Sequence, residues 1–152
     1  MPLPRTYAHA TKDWRAFLDD ARARMNLESK NSTYTAVDAV LQVFRRRLTV
    51  QQALTFADVL PAVLRALFVN EWDVSAGPVP FGTREDMARE AENVRPHHNL
   101  TPDDCIAAVA WALRRHVRQR DLDRVLASIG PEAEDFWRVE VDDPKELQRR
   151  IT

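Results

Sequence analysis

Two stretches of the chain carry the same apolar stripe. Between Val37 and Leu48, apolar side chains stand at Val37, Val40, Leu41, Phe44 and Leu48. From Ile106 the spacing recurs 69 residues on, at Ile106, Val109, Ala110, Leu113 and Val117. Steps of three and four residues place every member on one face of a helix, so each stretch reads as a helix with one buried side. Both helices end in basic residues, Arg45, Arg46 and Arg47 in the first and Arg114, Arg115 and Arg118 in the second. Further on, Phe56, Val59 and Pro61 match Leu126, Ile129 and Pro131 at an offset of 70. Each proline suits the first turn of a new short helix, where its missing N–H is not needed. Leu67 or Trp137 closes the unit, and a shorter amphipathic helix precedes each stripe, about Asp13 to Met25 and about Thr83 to Val94. A common period lets any two amphipathic helices align somewhere. It does not supply the shared order of stripe, basic end, proline and apolar closure, which reads as a duplication.

The expected architecture is therefore all-α: a helical bundle of about eight helices formed by two tandem four-helix repeats, in a single domain over 1–152. Repeat one covers about 13–69, a linker about 70–82, repeat two about 83–137, and a C-terminal tail 138–152. The linker "NEWDVSAGPVPFG" holds two of the three glycines and two prolines, which punctuate structure. In the tail, Asp143-Pro144 introduces a weakly apolar short helix from Pro144 to Arg150. Composition agrees, with 45% hydrophobic and 30% charged residues and only 3 Gly in 152 residues, enough for one core without staples. A single cysteine excludes an intramolecular disulfide and fits a reducing cytoplasm. No window approaches the roughly 20 apolar residues of a membrane span, and the amino terminus has no apolar signal region, so a cytoplasmic protein without membrane contact is expected.

The residues resemble a known family. "TYTAVDAVLQVFRRRLTVQQALTFADVLPAVLRALFVNEWD", Thr33 to Asp73, is similar to the first repeat of the bacterial domain-of-unknown-function family 2267, in which a long helix leads to a Leu-Pro-x-x-Leu-Arg turn and an aromatic Trp-Asp segment. Here those residues are Leu60, Pro61, Leu64, Arg65, Phe68, Trp72 and Asp73. "LTPDDCIAAVAWALRRHV" with the later "GPEAEDFW" resembles the second repeat, so the likeness covers roughly Asp13 to Trp137. It departs at Gly130, where the pattern has Leu before the proline. The resemblance implies an all-helical fold in a bacterial cytoplasm and carries no activity.

One stretch concentrates chemistry: "VRPHHNLTPDDC", Val94 to Cys105. Thr101-Pro102-Asp103-Asp104 has the form of a helix start, with Thr at the cap, Pro at the first helical position and acids where the exposed N–H groups favour negative charge. Cys105 then lies on the flank of the apolar stripe, as a small hydrophobe would. The rival reading is a metal-dependent protein using the His97–Cys105 segment. Against it, His97 and His98 are adjacent and lack the spacing of a recognisable site, and His116 lies too far along the helix from Cys105 to share an ion with it. No cofactor is expected. No nucleophile elbow or phosphate-cradling loop is present, and the acid pairs Asp19-Asp20, Asp103-Asp104 and Asp142-Asp143 read as solvated faces and helix starts. A third reading makes the arginine-rich helix ends, Arg45, Arg46, Arg114 and Arg115, a nucleic-acid or anion-binding surface. A net charge of −1 opposes it, and 19 Arg against 3 Lys resembles a base-composition bias. The helix dipole by itself favours cations at helix ends. The expected function is thus a non-enzymatic protein-interaction or scaffold module with a protein partner or a second copy, and Trp72 is expected as a wedge between the repeats, the alternative being an exposed anchor for a partner.

Overall fold

The computed structural model describes residues 3–94 and 101–147. Both apolar stripes are helices, α3 (Lys30–Arg45) and α7 (Cys105–Arg114). Before them come α1 (Arg5–Ala8) and α2 (Ala10–Met25), and between them α4 (Val50–Ala57), α5 (Ala62–Val69) and α6 (Arg84–Glu92). After α7 follow α8 (Gln119–Ile129), α9 (Pro131–Phe136) and a 3₁₀ turn, Pro144–Leu147. The described residues contain no strand, and the protein is all-α. Helices α2–α5 and α6–α9 run in the same order, separated by the extended segment 70–83.

The helix ends follow from local chemistry. Ser29 caps α3 by accepting from Ser32 N at 3.1 Å, and Thr83 caps α6 by accepting from Asp86 N at 3.0 Å. Thr49 and Gln52 cap α4 reciprocally, each side chain accepting the other's backbone N–H. Helix α2 stops at Asn26, whose left-handed φ of 56° asparagine tolerates. The departure at Gly130 also has a physical reason. Its φ is +142°, and with Pro131 at the first position of α9 it turns α8 into α9 within one residue. The equivalent turn in the first group needs four residues, Asp58, Val59, Leu60 and Pro61, the proline standing at the cap of α5.

One expectation needs correction. Helix α7 starts at Cys105, not at Thr101-Pro102. Cys105 N donates to Pro102 O at 3.1 Å, a tight turn that precedes the helix, and no side chain caps it. The short α1 was not foreseen, because four residues offer no periodicity. Of the tail helix expected from Pro144 to Arg150, the described part, Pro144–Leu147, is helical as a 3₁₀ turn, and residues 148–152 lie outside the described ones.

Packing crosses between the two groups. Helix α2 lies along α7, α6 lies along α3, and α4 meets α8, so each group's first helix covers the other group's long helix. One hydrophobic core takes side chains from both. At its centre Phe44 stands 4.9 Å from both Phe56 and Phe136 and 5.4 Å from Trp137, ring centre to ring centre. Trp137 also stacks on Phe56 at 5.6 Å and is fully buried. The aromatic wedge between the groups is therefore Trp137.

Candidate functional site

Trp72 sits instead in the segment after α5, half-buried at the edge of the core. Its position is imposed from both sides. Arg45, buried at the end of α3, donates through Nη1 to Phe68 O at 2.9 Å and Asn70 O at 3.1 Å, the last carbonyls of α5. Glu71 then takes a positive φ of 52°, which is costly for a residue with a Cβ. The reversal carries Trp72 back until its ring lies 5.6 Å from the Arg45 guanidinium carbon, a cation–π contact. Asp73 locks the next turn by accepting from Ser75 N at 3.0 Å and Ser75 Oγ at 2.6 Å, bonds that hold its carboxyl below the usual carboxylate range. The segment returns to the helix where Val79 N donates to Arg46 O at 3.0 Å. These residues enclose a groove of about 300 Å³ lined by Trp72, Leu48, Ala76, Gly77 and Val79, with Arg45, Arg46, Glu71 and Asp73 around it. Val69, Val74 and Val79 of the same stretch are exposed.

The other arginines singled out from the sequence have structural partners. Arg46 pairs with Glu90 at 3.4 Å. Arg114 donates through Nε to Trp137 O at 2.9 Å, at the end of α9, and through Nη1 to Asp123 at 3.0 Å. Arg115 stands 3.4 Å from Asp20 and over the Trp111 ring. Arg45 and Arg46 thus share the groove with Trp72, while Arg114 and Arg115 face α9 and α2. The dipole argument holds, but for a different helix: Arg45 and Arg114 complete the C-termini of α5 and α9 rather than their own. Arg65, the arginine of the Leu-Pro-x-x-Leu-Arg turn, and Arg84 do the same work. Arg65 donates through Nε to Ala57 O at 3.1 Å at the end of α4. Arg84 donates to Phe136 O at 3.1 Å and Arg138 O at 2.8 Å, and its burial pulls its pKa down, as burial does for Arg45. A guanidinium presents several donors in a fixed fork and reaches two or three carbonyls at once, which an ammonium does less well. That is a structural use for arginine beyond compositional bias.

Of the His97–Cys105 segment, His97 and His98 lie outside the described residues. Asp103 and Glu92 share a hydrogen bond that raises the pKa of Glu92, helped by burial and mutual repulsion. Cys105 is fully buried, and burial with the nearby Glu92 charge pushes its thiol up to about 12. Among the described residues no group of three or more His, Cys, Asp and Glu side chains is placed to hold a metal ion.

His116 emerges in a role that spacing did not reveal. Its Nε2 lies 2.6 Å from Asp20 Oδ2, bridging α7 to α2, with Phe17 at its ring. The counterpart bridge, from α3 to α6, pairs Arg47 with Glu90. Each joins the end of a long helix to the first helix of the other group. The partners are 96 residues apart in the first bridge and 43 in the second, so no local pattern signals them. Near His116 a cleft of about 520 Å³ mixes Arg5, Arg65, Arg118 and Arg124 with Asp13, Asp58 and Asp121, a nearly balanced lining.

The family model described as "Uncharacterized conserved protein (DUF2267)" matches residues 14–136. No curated protein matches the chain. Among the described residues no helix is long and apolar enough to cross a membrane.

Proposed function

The chain belongs to the DUF2267 family of uncharacterized conserved proteins, and since membership brings no activity with it, we propose a function from the chain's own surface: a non-enzymatic protein-interaction module of the bacterial cytoplasm. Trp72 is its docking anchor. One observation carries the reading: the chain bends through a positive φ at Glu71 and places the buried Arg45 over the indole, yet leaves the ring partly exposed in a groove at the edge of the core. Backbone strain of this kind persists where surrounding contacts impose it, and it clusters at functional sites. A tryptophan held rigid at the surface loses little freedom on binding, which is why such residues dominate interface energetics. The exposed valines 69, 74 and 79 extend the apolar contact, and the exposed carboxylates of Glu71 and Asp73 favour a partner segment with an apolar side chain flanked by basic residues. A buried thiol with a raised pKa suits a reducing compartment. The capping duties of Arg45 and Arg114 leave these side chains poorly placed to track a phosphate backbone.

The test is a comparison of the parent and Trp72→Ala as baits in a native lysate, with nuclease in one arm. The reading requires a polypeptide that survives nuclease, is retained by the parent and is lost with Trp72→Ala, while the variant still melts cooperatively. Equal recovery by both baits would remove Trp72 from the interface. Loss of all partners on nuclease treatment would favour the nucleic-acid reading.

A further inference from the structure

The segment that follows α9 packs against the core through Val139 and Val141 and again at Leu147. Asp142 to Lys145 are exposed, whereas Leu147 is only 8% exposed and belongs to the core. Beside it, Glu146 Oε1 accepts from Trp111 Nε1 at 2.9 Å and meets Arg24 Nη1 at 3.5 Å. Gln119 Nε2 donates to Leu147 O at 3.0 Å. Arg24 and Arg115 both lie over the Trp111 ring, at 4.8 and 4.7 Å from its centre. The end of α7 and the facing end of α2 thus offer an indole N–H, two guanidinium groups and an apolar slot, and the turn at Glu146-Leu147 meets them with one carboxylate and one leucine.

That turn is locally self-sufficient. Glu146 N donates to Asp143 O at 2.9 Å and Lys145 N donates to Asp143 Oδ1 at 3.0 Å, so Asp143 to Leu147 builds its own shape. Asp142, Asp143 and Glu146 also bring negative charge to a face that carries Arg24 and Arg115. A short acidic turn anchored by one leucine binds weakly on its own and is kept in place by tethering, which supplies an effective concentration of about the millimolar range. A partner segment with the same chemistry and more contacts would displace it.

We infer that the Trp111 face is a second docking site, for an acidic helical turn of a partner protein carrying a carboxylate followed by a large apolar residue, and that residues 142–147 occupy it in its place. Trp111 is then covered by the chain's own segment until a competitor arrives. The site is separate from the Trp72 groove and stands or falls without it.

The experiment uses the full chain with Glu146→Ala and Leu147→Ala combined, and a fluorescein-labelled peptide of the sequence VEVDDPKEL, residues 139–147, followed by anisotropy. The double variant should bind the peptide about tenfold or more tightly than the parent, and adding Arg24→Ala should reverse the gain. Trp72→Ala should change neither value. Glu146→Ala alone, which leaves the leucine in place, should show an intermediate gain and serves if the double variant does not fold. Equal binding by parent and variants, or binding by none of them, overturns the proposal. So does a dimer formed by exchange of the segment, which would make the occupant a second copy of the chain.

Discussion

Replacing Trp137 with alanine empties a site with no solvent exposure, against Phe44, Phe56 and Phe136. The expected loss is about 3–5 kcal/mol, the range for a buried aromatic, measured by urea denaturation. Trp72→Ala should cost less, about 1–2 kcal/mol, since the ring is half-buried and loses partial burial and one cation–π contact. An equal loss at both positions would return Trp72 to the role of wedge. Cys105 gives a third residue-scale test. With its folded pKa pushed up to about 12 from an ordinary 9.0, the folded chain holds the thiol proton that the unfolded chain releases. Its contribution to stability is fully present below about pH 9 and declines as pH rises towards 12. Native protein should therefore react with a thiol reagent only on unfolding, and Cys105→Ala should reduce the alkaline part of the pH dependence. Rapid labelling of the folded protein at neutral pH would contradict the burial.

At the scale of elements, helix C-termini are completed by arginines from other helices. Arg45→Met keeps much of the buried stem and removes the donors to Phe68 O and Asn70 O, leaving partly buried carbonyls unmet. A hydrogen bond from a charged donor is worth about 1.5–3 kcal/mol, so a destabilisation of that order is expected in denaturant melts. Arg45→Lys should recover only part of it, because one ammonium does not reproduce the fork. Full recovery with lysine would reduce the interaction to simple charge. The Glu92–Asp103 pair works in the other direction. Glu92 has a raised pKa, so its contribution favours the folded state at low pH and is lost as pH rises through that value. Glu92→Gln should therefore raise the melting temperature slightly at neutral pH and leave it nearly unchanged in acid.

For the whole molecule, the crossed packing decides what can fold alone. A fragment ending at Ala76 keeps α2 and α3 but lacks α7, which lies along α2, and α6, which lies along α3. The rings of Phe44 and Phe56 would lose Phe136 and Trp137. Residues 1–76 should show no cooperative thermal transition by circular dichroism, and mixing with residues 77–152 should restore helicity and a shared melt. A cooperative, monomeric melt of the first fragment alone would show that one group suffices.

Apart from the four-residue α1, the sequence by itself determined the helices and their order. Apolar spacing from Val37 and from Ile106, the prolines at 61 and 131, and the glycine-bearing segment between Val69 and Arg84 are local signals, and local hydrogen bonding obeys them. It placed the start of α7 too early, because a Thr-Pro-Asp-Asp run fits a tight turn as well as a helix cap. Only the tertiary structure decided which helix covers which, and with it that Trp137 is the wedge, Trp72 the half-exposed ring, and His116 the partner of Asp20. Those outcomes depend on side chains from separate elements, Phe44 and Trp137, Arg45 and Trp72, Asp20 and His116, meeting in the folded chain. Periodicity states which face of a helix is buried, and it is silent about the surface that buries it.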